Sequence, residues 1–124
     1  MERLDLSELD TPMITKNDKL IGSFGVMGGQ YQAAGHAYVL SQMIDFGLNP
    51  QLALNYPRIF PNNNILDIEK DFDKEVIDEL KSRGHIINHP SLPIGGGQMI
   101  LIDEDRGVLI GASDWRKDGL AIGY

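Results

Sequence analysis

Gly28 and Gly29 are the residues of this sequence whose type and setting best suit chemistry. They stand between an apolar run, Leu20 to Val26, and a long proline-free stretch, Gln30 to Phe46. A strand that enters a helix through two glycines can turn sharply and admit a ligand close to the backbone. The first N–H groups of a helix have no partner within it. Such a turn can therefore hold an anion, or the oxyanion of an acyl-transfer intermediate. A plain strand-to-helix turn is the other reading of the same residues. No Gly-Lys-Ser/Thr follows, so this is not a P-loop, and the Gly-x-Gly-x-x-Gly spacing of a dinucleotide fingerprint is absent there.

Three further groups invite a chemical reading. His36, His85 and His89 lie far apart with no carboxylate at ligand spacing. No metal site is expected from them, and His36 reads as a hydrogen-bonded packing residue on a helix. Ser113 and Asp114 suggest a catalytic pair, but no histidine stands near Ser113 in sequence to activate it. A turn in which Asp114 caps or pairs with Arg116 is the preferred reading. The acid run Asp67, Glu69, Asp71, Asp73 and Glu75 offers paired carboxylates. Its residues punctuate a turn and a helix start, so it reads as a solvated face.

The elements that must position these residues follow from periodicity. Met13 to Thr15 and Leu20 to Val26 read as strands of a hairpin turned at Asn17-Asp18. The stretch from Gln30 to Phe46 reads as a helix. Its stripes Ala33, Ala37, Leu40, Ile44 and Val39, Met43, Phe46 make a wide apolar arc, which predicts a largely buried helix. Gly47 stops it, and Asn49-Pro50 opens a short second helix that ends before Pro57. Pro61 to Asn64 reads as a polar turn and Ile65 to Ile68 as a strand. Asp73 caps a helix running to Arg83, and His85 to Asn88 forms another strand. Pro90 to Gly97 reads as a loop. Met99 to Ile102 and Val108 to Ala112 then form a hairpin around Asp103 to Gly107. Both of these strands are apolar at successive positions, a pattern that suits cover on both faces. The class is α+β, an antiparallel sheet with helices. Met1 to Asp10 is read as a lead-in, and residues 11–124 as the domain.

Composition excludes several functions. The chain has 124 residues, 42% hydrophobic and 23% charged, which suits one globular domain or a piece of a larger one. Its net charge of -7 argues against nucleic acid and anionic membrane surfaces as partners. The absence of cysteine removes disulfide scaffolds, thiol catalysis and zinc-thiolate sites. No apolar run has spanning length and the N-terminus carries no apolar signal core, so a cytoplasmic location is expected.

An ordered set of short matches runs from about Thr11 to Tyr124. It comprises Phe24-Gly-Val-Met-Gly-Gly29, Gly35-His36, Asp45-Phe-Gly-Leu-Asn-Pro-Gln51, Pro57-Arg58, Leu80-Lys-Ser-Arg-Gly-His85 and Gly95-Gly-Gly-Gln98. Gly111-Ala-Ser-Asp-Trp-Arg-Lys-Asp-Gly119 and Gly123-Tyr124 complete it. The set resembles the γ-glutamyltransferase (glutathione hydrolase-like) family, in the C-terminal part of its small subunit. The resemblance implies part of an N-terminal-nucleophile hydrolase fold, a four-layer αββα sandwich. It implies a self-cleaving precursor, a threonine nucleophile whose own amine is the base, and acyl transfer from γ-glutamyl amides such as glutathione to water or an amine. It makes Gly28 and Gly29 oxyanion donors and calls for no cofactor and no metal.

By the same resemblance, the nucleophilic threonine and most residues that grip the glutamate fall upstream of these residues. Thr11 and Thr15 do not replace the nucleophile, and Leu9-Asp10-Thr11 stands where many members carry a serine pair. Tyr56 takes the place of the usual alanine and Trp115 that of the usual proline. The expectation is an enzyme part, inactive alone, that works with the missing N-terminal part or an upstream gene product. The alternative is a non-catalytic remnant that binds a γ-glutamyl or carboxylate ligand, or a partner. Self-association is expected in either case, because half a sandwich leaves apolar strand faces uncovered.

Overall fold

The computed structural model describes residues 12–124. The lead-in assigned to Met1–Asp10, and Thr11, lie outside the described residues. The chain divides into two compact units, one formed by the N-terminal part to Asn55 with Gly95–Tyr124, the other by Tyr56–Ile94.

The first unit is built on a four-stranded antiparallel sheet. Its strands are β1 (Met13–Lys16), β2 (Lys19–Met27), β6 (Gly96–Asp103) and β7 (Val108–Ser113), in the order β1-β2-β6-β7. Asn17 and Asp18 both take positive φ, 51° and 62°, as a two-residue hairpin turn with the twist of its strands requires. Strand β6 begins at Gly96, so the expected loop ends two residues earlier than the three glycines suggested. Met27 pairs with Gly96 at the end of the β2–β6 ladder.

Helices α1 (Gln32–Ile44) and α2 (Pro50–Asn55) cover one face of this sheet. Phe24, Val26, Met99 and Ala112 point into that layer and are buried. Alternation sends Ile100 and Leu109 to the opposite face, where they are 53% and 69% exposed. The apolar runs of β6 and β7 are thus covered on one side within this unit.

The buried stripe of α1 differs from the expected one. Gly35, His36, Val39, Leu40 and Gln42 face inward, whereas Ala33, Ala37, Ile44 and Phe46 are exposed. The reason is close approach at Gly35. A Cβ there would lie 2.7 Å from Val26 Cγ1 and 2.6 Å from Tyr31 Cε1. The helix meets the strand through its glycine, which an apolar count passes over.

The second unit holds β3 (Ile59–Asn62), β4 (Ile65–Ile68), α3 (Lys74–Ser82) and β5 (Ile86–Asn88), with sheet order β3-β4-β5. β3 and β4 are antiparallel, while β4 and β5 are parallel and joined through α3. Pro61 and Asn62 belong to β3 and not to the turn, which is confined to Asn63-Asn64. An edge strand tolerates a proline because one side of its ladder is open. Asp73 caps α3 as expected, accepting the Glu75 N–H at 2.9 Å. Asp73→Ala should cost about 1 kcal/mol, read as a lower urea midpoint with unchanged slope.

Candidate active site

Strand β2 ends at Met27, and the backbone turns at Gly28 with φ 142° and at Gly29 with φ 58°. A single 3-10 turn over Gly29–Tyr31 then feeds α1, closed by the Tyr31 N–H on the Gly28 carbonyl at 3.1 Å. Gly28 lies in a backbone region that residues with a Cβ rarely enter. A Cβ there would also stand 3.2 Å from Gly95 Cα and 3.3 Å from Tyr31 Cβ. Both glycines are exposed, and their N–H groups have no acceptor among the described residues. Two unpartnered amides at a strand-to-helix turn can receive an anionic oxygen.

A cleft of about 420 Å³ borders this turn. Ser23, Gly25 and Met27 of β2, Gly96 and Gln98 of β6, and Gln32 of α1 line it. The stem of Lys117 crosses Gly96, since a Cβ on Gly96 would lie 2.5 Å from Lys117 Cγ.

The C-terminal turn is held by a buried ion pair. Arg116 Nη1 donates to Asp114 Oδ1 at 3.1 Å, with side chains 1% and 0% exposed. Asp114 also accepts the Arg116 N–H at 3.0 Å and the Gly97 N–H at 2.9 Å. Arg116 Nη1 reaches the Leu54 carbonyl at the end of α2, at 2.8 Å. Asp114 both caps the turn and pairs with Arg116, as read from sequence. Ser113 is fastened by its backbone: its N–H donates to Gln51 Oε1 at 3.1 Å, and its carbonyl accepts from Gln51 Nε2 at 2.7 Å. Ser113 has no hydrogen-bonded base among the described residues, so the geometry gives no Ser-His pair.

Each remaining candidate has its own setting. Thr15 pairs with Leu20, eight residues before Gly28 along β2. At about 3.3 Å per strand residue that is roughly 25 Å away. His36 uses both ring nitrogens within the fold, on Val26 N and Gln32 O. His85 and His89 belong to the second unit, where His89 Nδ1 contacts the Ile68 carbonyl at 2.8 Å. No group of three or more metal-binding side chains forms among the described residues.

The acid run needs one correction. Glu69 is buried, not solvated, because its oxygens accept the Arg58 N–H at 2.9 Å and the Ile94 N–H at 3.0 Å. Both amides come from segments distant from Glu69 in sequence, so the composition of the run carried no sign of them. The Gln51 clamp was missed for the same reason.

The sequence profile of the family described as Gamma-glutamyltranspeptidase matches residues 5–124. The chain belongs to this family.

The glutathione hydrolase proenzyme of Bacillus subtilis is 29% identical over 119 residues, covering 95% of this chain and 20% of that protein. A cephalosporin acylase from Bacillus halodurans is 41% identical with a TM-score of 0.82, over 92% of this chain and 22% of that one. A γ-glutamyltranspeptidase from Pseudomonas nitroreducens shares the fold with a TM-score of 0.83 at 22% identity, over 96% of this chain and 63% of that one. The fold is that of the N-terminal-nucleophile hydrolases in this family. The chain spans about a fifth of the length of the curated relatives it matches.

Proposed function

We propose that this chain forms the oxyanion-holding part of an acyl-transfer enzyme that acts on γ-glutamyl amides. The observation that carries the reading is the pair of exposed glycines, Gly28 and Gly29, whose amides have no acceptor among the described residues, next to Met27 at the edge of a cleft of about 420 Å³. A threonine hydroxyl, from a segment outside these 124 residues, attacks the amide carbonyl carbon. The threonine's own amine takes the hydroxyl proton. The carbonyl oxygen becomes an oxyanion and is held by the two glycine amides. Collapse of the intermediate expels the amine with that proton and leaves an acyl ester, which water or an amine then opens. The exposed face around Ile100 and Leu109 supports a covering layer contributed from outside this unit.

The test is hydrolysis of a chromogenic γ-glutamyl anilide, by the chain alone and after co-expression with the product of the upstream reading frame. The chain alone should stay at background with an uncleaved mass, and the pair should turn over. Turnover by the chain alone would place a nucleophile inside it, with Thr11, Thr15 and Ser113 the first to be replaced. Neither complex nor activity from the pair would favour the non-catalytic module instead. The 41% identity to a cephalosporin acylase favours a second substrate reading, an amide with a different acyl part. A cephalosporin amide assayed in parallel decides between them.

A further inference from the structure

We propose that His36 is a positioning residue for the Gly28–Gly29 turn, a neutral imidazole that ties the strand before the turn to the helix after it. Its role in acyl transfer rests on the oxyanion reading above; its role in holding the turn does not.

Alternate amides of β2 point away from β6. Of these, Phe24 N–H is satisfied by the carbonyl of Pro12, at 3.1 Å. Among the described residues β1 pairs no further along β2, and β2 continues to Met27. Val26 is 1% exposed, so its amide needs a partner from the protein. His36 Nε2 supplies it, accepting the Val26 N–H at 3.1 Å. The imidazole serves the Val26 amide as a neighbouring strand's carbonyl would. The next amide on that edge is that of Gly28.

The ring's other nitrogen fixes the tautomer. A backbone N–H only donates, so Nε2 carries the lone pair and Nδ1 carries the proton. Nδ1–H donates to the Gln32 carbonyl at 2.6 Å. Gln32 is the first residue of α1, and Val26 is the penultimate residue of β2. One ring therefore joins both ends of the Met27–Tyr31 segment that presents the glycine amides. Burial to 7% exposure and an edge contact with the Phe24 ring, at 5.1 Å between centroids, hold it in place. Gly35 beside it brings the helix close enough for the bond to form.

The experiment is NMR on the isotope-labelled full chain. The unmodified protein should show a scalar coupling across the hydrogen bond between the Val26 amide nitrogen and His36 Nε2, with the proton on Nδ1. His36→Gln keeps an acceptor near the Nε2 position, and His36→Leu has none. In His36→Leu the Val26 amide should exchange at least tenfold faster and the Gly28 and Gly29 signals should shift, while Leu101 in β6 keeps its protection. His36→Gln should restore most of both. An absent coupling, or Gly28 and Gly29 signals unmoved in a folded His36→Leu, would overturn the proposal. If His36→Leu does not fold, the coupling and the Gln variant still decide. None of these readouts needs turnover, so an inactive pair in the anilide assay would remove the catalytic reading and leave this result standing.

Discussion

Replacing Asp114 with alanine is expected to remove roughly 3–5 kcal/mol of folding stability, as breaking a buried pair by deleting one partner does. The carboxylate accepts from Gly97 N, Arg116 N and Arg116 Nη1 and is fully buried. Its loss takes the ion-pair partner from the Arg116 guanidinium, 1% exposed, whose Nη1 also donates to the Leu54 carbonyl. It also orphans an amide at the start of β6, next to Gly96 at the edge of the cleft. Small domains have about 5–15 kcal/mol in all, so the variant should lose a large share of its stability. Urea denaturation measures it. Asp114→Leu combined with Arg116→Met removes both charges and should be less damaging than Asp114→Ala alone. A double variant at least as unstable as the single one would mean that lost hydrogen bonds, and not the broken ion pair, set the cost.

Gly28→Ala is expected to lower turnover of the assembled enzyme by roughly 10²–10³-fold, the usual effect of losing one oxyanion donor. Alanine keeps the N–H, so the loss comes from displacement. At φ 142° a Cβ is strained, and it would press on Gly95 and Tyr31. The backbone must rotate, which carries both amides away from their present directions. Gly29→Ala is the control. Its φ of 58° is in the left-handed region, and a Cβ there would meet nothing within 4 Å. That substitution should cost about 1–2 kcal/mol of stability and change turnover only a few-fold. Equal losses from both variants, or none from Gly28→Ala, would argue against these amides as the oxyanion donors.

Much of the site was legible in the sequence because its signals are local. A strand that stops at two glycines before a proline-free apolar stretch predicts a turn with outward amides. Asp73 before a helix and Asn17-Asp18 between strands work within a few residues of themselves. Pro61 was the local signal that misled, since a proline reads as a turn until the strand is known to lie on an edge.

The sequence by itself determined the order of the elements, the α+β class, the glycine turn and the family. Those depend on residue type and short spacing, which any stretch of chain carries alone. Tertiary structure decided which stripe of α1 is buried, that Glu69 is an internal acceptor, and that Gln51 holds Ser113 across 62 positions. It also decided that the Val26 amide finds its acceptor in His36. A buried polar group must find a partner somewhere, but which one it finds depends on where the folded backbone brings distant residues together.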